Sequence, residues 1–299
     1  MKFGIIGLGK MGNAIARRVL QGGFEVYGFD LDEQAKKDAK KMGVTIVEDL
    51  ARLPEYVRVM WIMVPVGDPV DQTLKTLLPQ LKKGDIIVDG GNSKYTDSIE
   101  RAKMLESHGV HFLDCGTSGG IEGEKVGFCL MLGGESKVYD KLKPILECIA
   151  APQGFGLVGP SGAGHYVKMI HNGIEYGLLE AYAEGFHLLH DGTYKDLDLE
   201  QVSGIWNHGS IIRSFLLQLA HNVFKERPDF KKISGEVAEG GTGLWTFENA
   251  KENNVPVPVI EESLKVRKWS RKSGGNWATK LIALLRQAFG GHAVKKSKE

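Results

Sequence analysis

The stretch KFGIIGLGKMGNAIARRVLQGGFEVYGFD (residues 2–30) decides the fold of this chain of 299 residues. A short apolar run at 2–9 is followed by a helix-like segment at 11–23 and by a second apolar run at 25–30. Apolar runs that alternate with helical segments are typical of parallel strands whose connecting helices cover both faces of a sheet. The stretch therefore predicts a β–α–β unit at the start of a doubly wound sheet.

The same alternation continues to about residue 160, and a different pattern follows it. Further strand-like runs lie at 57–64, 85–90, 110–115, 128–134 and 151–159. From residue 162 onward the chain shows long helical segments, with candidates at 162–192, 198–225 and 276–289. We predict an α/β Rossmann-type doubly wound parallel sheet with extra strands, followed by an all-α C-terminal domain. The turn VGPSGAG places the boundary near residue 162, with domains 1–162 and 163–299.

The turn between the first strand and its helix carries a glycine pattern. GLGKMG fits G-x-G-x-x-G with Gly7, Gly9 and Gly12. Gly7 permits the tight turn, Gly9 lets backbone approach a pyrophosphate, and Gly12 lets the helix pack closely on the strand. The alternative is a glycine turn that binds no nucleotide, but the preceding strand and the following helix favour a dinucleotide site.

The end of the second strand indicates which dinucleotide is preferred. Asp30 stands where a carboxylate can bind the ribose hydroxyls of NAD and repel the 2′-phosphate of NADP. Leu31 and Asp32 follow it, rather than an arginine that could pair with that phosphate. The sequence therefore predicts NAD as the cofactor.

Polar side chains interrupt one of the predicted helices. Lys168, His171, Asn172 and Glu175 occur within GAGHYVKMIHNGIEYG, residues 162–177. At about 100° per residue they share one face, and Lys168 and Glu175 are about 10.5 Å apart along the axis. A solvated polar face is the alternative, but the flanking residues are apolar or glycine. We therefore favour the hypothesis that this face binds a small elongated ligand over the hypothesis that it faces solvent.

Two glycine turns follow predicted strands. VDGGNS (88–93) leaves Asn92 at a strand end, and DCGTSGGIEG (114–123) leaves Thr117 and Ser118 at another. The carboxyl ends of strands in open α/β sheets are where ligands bind, and exposed backbone N–H groups there can bind a carboxylate or phosphate. For each turn alone the alternative is an ordinary glycine loop, but together they give the helix a sheet edge to face.

These motifs, with GGTGLWT (240–246) and RQAFGGH (286–292), resemble the 6-phosphogluconate dehydrogenase family over nearly the whole chain. The chain is most similar to the short, bacterial, NAD-preferring branch, because the long helical extension of the longer enzymes is missing. The resemblance implies oxidation of 6-phosphogluconate at C3 with NAD, then loss of CO2 to give ribulose 5-phosphate, in the pentose phosphate pathway and gluconate utilisation. It also implies that residues 163–299 serve substrate binding and dimerisation.

The resemblance also assigns roles to residues. It implies that Lys168 is the general base and acid at C3 of the substrate and that Glu175 is the general acid at C1 of the enediol that remains after CO2 is lost. It implies cofactor contacts from Gly7, Gly9, Lys10, Met11, Gly12, Asp30, Val64 and Asn92. It implies substrate contacts from Asn92, Ser118, Gly119, Gly120, His171, Asn172, Tyr176, Thr242, Arg267, Arg286 and His292.

The phosphate end of the substrate has its own implied contacts. Tyr176, Thr242 and Arg267 match phosphate contacts of the family. Arg286 and His292 match a pair that reaches into the neighbouring subunit's site, so a homodimer or homotetramer with a shared site is expected. A departure stands just before G-T-G, where the longer enzymes carry a phosphate-binding lysine and this chain has a glycine, residue 240.

Two other functions are alternatives. A β-hydroxyacid dehydrogenase of the 3-hydroxyisobutyrate type shares the architecture and a catalytic lysine, but simple oxidation needs no second acid such as Glu175. A cofactor-binding regulatory protein that has lost catalysis is the other alternative, and the intact pair of Lys168 and Glu175 argues against it.

Composition narrows the class of protein further. The chain has 38 basic and 37 acidic residues, a balance that argues against binding to nucleic acid. The longest apolar run, at 57–66, contains Arg58 and is too short to span a bilayer. The three cysteines show no C-x-x-C spacing and no metal-ligand cluster is recognisable, so we expect a cytoplasmic protein without a metal. Cys115 and Cys129 are expected to be buried packing residues.

Overall fold

The computed structural model describes residues 2–227 and 229–297, and the chain divides into two compact units between Lys168 and Met169. Within the described part of the first unit, the strands form one sheet. They are β1 (Lys2–Ile6), β2 (Glu25–Phe29), β3 (Thr45–Ile46), β4 (Val59–Ile62), β5 (Ile86–Asp89), β6 (His111–Ser118), β7 (Phe128–Gly133) and β8 (Ala150–Gly159).

The sheet has the order β3-β2-β1-β4-β5-β6-β7-β8. Strands β1 to β6 are parallel, whereas β7 runs antiparallel to β6 and β8 runs parallel to β7. The predicted Rossmann-type sheet with extra strands is therefore confirmed. The strand β3 was not predicted, because its two residues are too few to show an apolar pattern.

Helices cover both faces of this sheet. They are α1 (Lys10–Gln21), α2 (Glu33–Met42), α3 (Leu53–Tyr56), α4 (Asp68–Leu77), α5 (Tyr95–Glu106), α6 (Gly123–Val126) and α7 (Ser136–Ile149). Phe3 and Ile5 of β1 pack in a core with residues of α1 and α7, whereas Ile6 packs in a core with residues of α3, α4 and α5. Burial on both sides explains why the strands are almost continuously apolar.

The long helix α8 (Ala163–Asp191) continues into the second unit, which is helical. The helices that follow are α9 (Leu199–Trp206), α10 (Phe215–Glu226), α11 (Thr242–Glu252), α12 (Pro258–Ser273) and α13 (Trp277–Gly290). Their core joins α8, α10 and α13 through Leu179, Phe186, Phe224 and Leu281. Among the residues described in this unit, β structure is limited to one bridge between Ile233 and Lys296, so the predicted all-α domain is confirmed.

The prediction of one long helix at 198–225 was wrong. The chain forms α9 and α10 with a break between them, where Gly209 has a φ of +89°. Ser214 restarts the helix as its N-cap and accepts a hydrogen bond from the backbone N–H of Leu217 at 3.0 Å. A glycine in the left-handed region cannot continue an α-helix, and a serine cap stabilises the new start.

Two smaller observations concern the cysteines and membrane spans. Cys115 is buried as predicted, but Cys129 is exposed, because it points away from the core between Phe128 and Leu130 on β7. The prediction for Cys129 was therefore wrong.

Across the described ranges, none of the helices combines the length and the apolar character needed to cross a bilayer.

Candidate active site

The glycine turn after β1 has the shape that a bound dinucleotide requires. Gly7 has a φ of +95°, and a Cβ there would lie 2.5 Å from the carbonyl oxygen of Met63. A Cβ on Gly12 would overlap the carbonyl oxygen of Gly7, so glycine alone lets α1 start this close to the strand. A Cβ on Gly9, in contrast, would meet no atom within 4 Å. The backbone before α1 is therefore open to a ligand, and the helix N-terminus can bind its phosphates.

The carboxylate of Asp30 is held against this turn. Its Oδ2 accepts a hydrogen bond from the backbone N–H of Leu8 at 2.5 Å, and its Oδ1 accepts one from the N–H of Asp32 at 2.8 Å. Lys10 and Met11 form the first turn of α1, where Lys10 is exposed. A fixed carboxylate and an open glycine turn fit the ribose and the pyrophosphate of NAD.

The loops after β4, β5 and β6 lie side by side at the carboxyl edge of the sheet. A Cβ on Gly91 would lie 3.4 Å from the carbonyl oxygen of Val64, which follows β4. The hydroxyl of Thr117 donates to the carbonyl oxygen of Gly90 at 3.3 Å. The same edge therefore carries Val64, the exposed Asn92 and the end of β6.

Lys168 belongs to this edge as well. A Cβ on Gly116 of β6 would overlap the Cβ of Lys168, so the lysine packs directly against that strand. Its side chain is only 8% exposed. Ser118 ends β6 two residues later, and Gly119 and Gly120 follow with φ angles of +126° and +54°. The structure thus brings Lys168 and the end of β6 together.

Sequence reasoning missed Asp114, which fixes the start of α8. This buried carboxylate of β6 accepts hydrogen bonds from the backbone N–H groups of Gly162 at 2.6 Å and of His165 at 2.8 Å. It satisfies two N–H groups that a helix start leaves without partners. Because His165 lies one turn before Lys168, Asp114 also fixes the place of the lysine. The signal for it was an acidic residue inside an otherwise apolar strand.

Sequence reasoning also missed the two ion pairs of the buried Arg101. Its guanidinium lies 2.7 Å from Asp71 and 3.3 Å from Asp89, and Ser93 donates to Asp89 at 2.6 Å. Asp89 is fully buried, and through Arg101 and Asp71 this network ties the turn at 89–93 to α4. It stabilises the turn that carries Asn92.

In the second unit, α11 is fixed against the polar residues of α8. Asn172 donates from Nδ2 to the hydroxyl of Thr242 at 3.0 Å, and His171 makes a 3.1 Å hydrogen bond with Asn172. Thr246 donates to the carbonyl oxygen of Met169 at 2.7 Å. Thr242 begins α11 directly after Gly241, whose φ is +84°. The N-terminus of α11 therefore lies beside the face of α8 that carries Asn172 and the half-buried Glu175.

A buried cation lies on the same side of this unit. Arg267 of α12 is fully buried, and its Cζ lies 3.2 Å from the centre of the Tyr176 ring. None of its three guanidinium nitrogens has a hydrogen-bond partner. Burial is the main reason that the pKa of Arg267 falls to about 10, with Tyr176 acting to raise it and Arg286 to lower it. A buried guanidinium without partners is costly, so this place is a candidate site for an anion.

Arg286 and His292 surround the same place. Burial lowers the pKa of both side chains, and the charges of Arg286 and Arg267 lower that of His292 further. Within this chain the charges of Arg286 and His292 lie close enough to Arg267 to interact with it, and the expectation that both residues reach a neighbouring subunit's site stays a prediction. Gly240, which stands in place of a lysine, donates its N–H to the Tyr176 hydroxyl at 3.5 Å.

Comparison with known proteins identifies the family of both units. Residues 2–170 match the family model for the NAD-binding domain of 6-phosphogluconate dehydrogenase, and residues 164–299 match that for its C-terminal domain. The NAD(+)-dependent, decarboxylating 6-phosphogluconate dehydrogenase of Haloferax volcanii is 46% identical over 301 residues, which cover 99% of each chain.

Solved structures share the fold. The 6-phosphogluconate dehydrogenase of Plasmodium falciparum is 28% identical with a TM-score of 0.82, over 97% of this chain and 70% of that one. A 3-hydroxyisobutyrate dehydrogenase from Salmonella typhimurium has a TM-score of 0.78 at 21% identity, over 94% of this chain and 99% of that one, a similarity of fold alone. This chain is therefore an oxidoreductase that belongs to the 6-phosphogluconate dehydrogenase family and carries that family's NAD-binding domain.

Proposed function

We propose that this chain converts 6-phospho-D-gluconate and NAD to D-ribulose 5-phosphate, CO2 and NADH, in the pentose phosphate pathway. The observation that carries the proposal is the fully buried Arg267, whose nitrogens have no hydrogen-bond partner, in a chain of this family. The name of the Haloferax volcanii relative, an NAD(+)-dependent decarboxylating enzyme, supports it.

The phosphate of the substrate fits the second unit. A phosphate dianion prefers guanidinium groups and helix N-termini, because both present N–H donors with positive charge. Arg267, Arg286 and the first turn of α11 at Thr242 offer such donors. Tyr176 holds Arg267 in place through its ring. Arg286 and His292 supply further positive charge or donors where the lysine is missing at Gly240.

Lys168 is assigned to the proton transfers at C3. It takes the proton of the C3 hydroxyl, and acceptance of the hydride from C3 is the chemistry that bound NAD supplies. The protonated lysine then donates to the C3 oxygen as CO2 leaves, which stabilises the negative charge that develops there. Its packing against Gly116 leaves the residue only 8% exposed, which limits the access of water to the side chain.

Glu175 is assigned to the proton transfer at C1. C1 of the substrate leaves as CO2, and the former C2 becomes C1 of the five-carbon enediol, which needs a proton. Glu175 lies two helical turns after Lys168 on the same face of α8. His171 and Asn172 lie between them and can bind the hydroxyl groups of the substrate. Ser118, Gly119, Gly120 and Asn92 are proposed to bind its carboxylate and hydroxyl groups.

The preference for NAD over NADP is assigned to Asp30. Its carboxylate is held by two backbone N–H groups, so it cannot turn away from a 2′-phosphate placed on the adenosine ribose. Leu31, which is 89% exposed, offers no positive charge beside it. We assign the remaining cofactor contacts to Gly7, Gly9, Lys10, Met11, Gly12, Val64 and Asn92.

We further propose that the protein is a cytoplasmic homo-oligomer, that it needs no metal, and that the boundary between its two functional domains lies near residue 162.

The exposed face of α8 carries Ile174, Leu178 and Leu188, which are 55%, 46% and 73% exposed. With Ala181 and Gly185 between them, the spacing alternates between four and three residues, as in helices that pair along an apolar seam. A second copy of the chain is the partner that this seam fits.

A substrate panel tests the proposed function. The purified protein is given NAD with 6-phosphogluconate, with gluconate or with 3-hydroxyisobutyrate, and NADH is followed by absorbance. We expect kcat/KM for 6-phosphogluconate to exceed that for gluconate by at least about 100-fold, because gluconate leaves Arg267 without an anion. A higher kcat/KM for 3-hydroxyisobutyrate would instead support the non-decarboxylating alternative.

A further inference from the structure

Glu180 is a buried acid that the proposed chemistry does not use. It lies on α8 one turn after Tyr176 and is 7% exposed. Its Oε2 is buried without a hydrogen-bond partner. An ionised carboxylate in such a place is costly unless a positive charge lies near it.

Arg267 is the positive charge that acts on Glu180. Burial raises the pKa of Glu180 to about 7, the charge of Arg267 lowers it, and the charges of Glu184 and Glu262 raise it. Glu180 in turn raises the pKa of Arg267. No hydrogen bond joins the two groups, since the guanidinium nitrogens and Oε2 are all without partners. The two opposite charges therefore influence each other while Arg267 keeps its N–H donors available.

We propose that Glu180 is an internal counter-charge for Arg267 that competes with the phosphate of the substrate, so that phosphate binding is coupled to uptake of a proton by Glu180. The inference rests on the proposed function, because it takes the phosphate to be the anion that Arg267 binds. It makes Glu180 a residue that acts through Arg267 without touching the substrate.

The direction of the coupling follows from electrostatics. A phosphate dianion at Arg267 places negative charge near Glu180 and raises the pKa of its carboxyl group above the value of about 7 in the free protein. By reciprocity, ionisation of Glu180 weakens phosphate binding by the same free energy. The affinity is therefore highest below pH 7 and falls as the pH rises through about 7.

The other charged groups around Glu180 do not reverse this direction. Glu262 of α12 and Glu184 of α8 add negative charge, which favours the protonated form of Glu180. Arg286 of α13 and Glu175 of α8 act on Arg267, whose pKa of about 10 keeps it charged through neutral pH. His292 also lies in this cluster, but burial and the charges of Arg286 and Arg267 lower its pKa below the usual value, so it is mostly neutral in the free protein above pH 7. The charge that changes as the pH rises through 7 in the free protein is therefore that of Glu180.

Calorimetry of substrate binding tests the inference. The full-length protein without NAD is titrated with 6-phosphogluconate between pH 7 and pH 9, where the phosphate (second pKa about 6) is already a dianion. Two buffers of different ionisation enthalpy report the protons taken up. At pH 8 we expect the wild type to take up about 0.5 to 0.9 proton, and its Kd to rise about tenfold from pH 7 to pH 9.

Two variants separate Glu180 from its surroundings. Glu180→Gln should lose this proton uptake, and its Kd should change less than about twofold over the same pH range. Glu184→Gln removes the same charge from the next, exposed turn of α8 and should keep the proton uptake, with its midpoint moved to slightly lower pH because Glu184 raises the pKa of Glu180. If Glu180→Gln fails to fold, Glu180→Met removes the charge and keeps an apolar side chain of similar length.

The outcomes are distinct. Proton uptake and pH dependence in Glu180→Gln equal to those of the wild type would overturn the inference while leaving the proposed function intact. A wild type that binds 6-phosphogluconate without taking up protons at pH 8 would overturn it in the same way. A wild type that binds no 6-phosphogluconate at any pH would contradict the proposed function itself, and the inference with it.

Discussion

At the scale of single residues, the proposed mechanism divides two proton transfers between two side chains of one helix. Lys168 is buried against β6, whereas Glu175 lies two turns further along α8 and is half-buried. The first transfer accompanies oxidation and the second follows loss of CO2. A variant that impairs only the second transfer should therefore still oxidise its substrate.

Glu175→Gln is the variant that separates the two transfers. The amide keeps the size of the side chain but cannot donate a proton as a carboxylic acid does, so steady-state turnover should fall by about 100-fold or more. Rapid mixing with NAD and 6-phosphogluconate should still show a first burst of NADH within about tenfold of the wild-type rate. Equal losses in burst and steady state would count against the role given to Glu175.

The cofactor preference can be tested at Asp30. Asp30→Asn keeps an oxygen that can accept from Leu8 but removes the negative charge, so the ratio of kcat/KM for NAD to that for NADP should fall by about 10- to 100-fold. Asp32→Asn is the matched control, since asparagine also serves as an N-cap for α2 and the charge removed lies two residues further along the chain. An unchanged ratio in Asp30→Asn would show that selectivity lies elsewhere.

The sequence predicted residues whose chemistry is visible in a motif and missed those whose role depends on burial. The spacing of Gly7, Gly12 and Asp30 predicts a dinucleotide site, and the structure places the three residues together. Glu180 is one of several acidic residues on a helix, and only its 7% exposure separates it from the exposed Glu184. Asp114 was missed for the same reason, because its hydrogen bonds reach a helix start 48 residues later along the chain.

At the scale of elements, the contact of α11 with α8 shapes the proposed phosphate site. A Cβ on Gly243 of α11 would overlap the Tyr176 ring, lying 3.0 Å from its Cζ. The glycine therefore lets the helix approach closely enough for Tyr176 to stack on Arg267. Displacing the ring should disturb the binding of phosphate and leave the glycine turn in the first unit unchanged.

Gly243→Ala tests this packing. We expect the KM for 6-phosphogluconate to rise about tenfold or more while the KM for NAD changes less than about twofold. Gly156→Ala in β8 is the control, because a Cβ there meets no atom within 4 Å and alanine should stabilise the strand by about 0.5–1 kcal/mol. A rise in both KM values for Gly243→Ala would indicate general damage rather than a local effect at Tyr176.

Most elements follow from sequence, and the exceptions have physical reasons. Apolar runs predicted every strand of the sheet except β3, because its two residues are too few to show an apolar pattern. The break between α9 and α10 was missed because the apolar periodicity continues across it, from Trp206 to Phe215. The left-handed φ of Gly209 and the cap at Ser214 decide that break, and neither alters the pattern of apolar residues.

At the scale of the whole molecule, the sequence predicted a sheet domain followed by a helical domain because the two halves have different apolar periods. The pattern of apolar residues did not predict which surface serves self-association. The spacing of Ile174, Leu178 and Leu188 on α8 looks like an ordinary buried stripe until their exposure is known.

Light scattering after gel filtration tests the proposed seam along α8. The double variant Leu178→Lys with Leu188→Lys places like charges in it, so the measured mass should fall from that of an oligomer towards one chain. Val126→Lys, which changes an equally exposed apolar residue of the first unit, should leave the mass unchanged. A double variant with the wild-type mass would place the subunit interface on another surface.

The central claim is that oxidation and decarboxylation are coupled on 6-phosphogluconate with NAD as the oxidant. The most direct measurement follows NADH by absorbance and CO2 by a coupled assay in the same reaction. We expect one CO2 for each NADH, a markedly slower reaction with NADP, and neither product from Lys168→Met. NADH without CO2, or a faster reaction with NADP, would contradict the account.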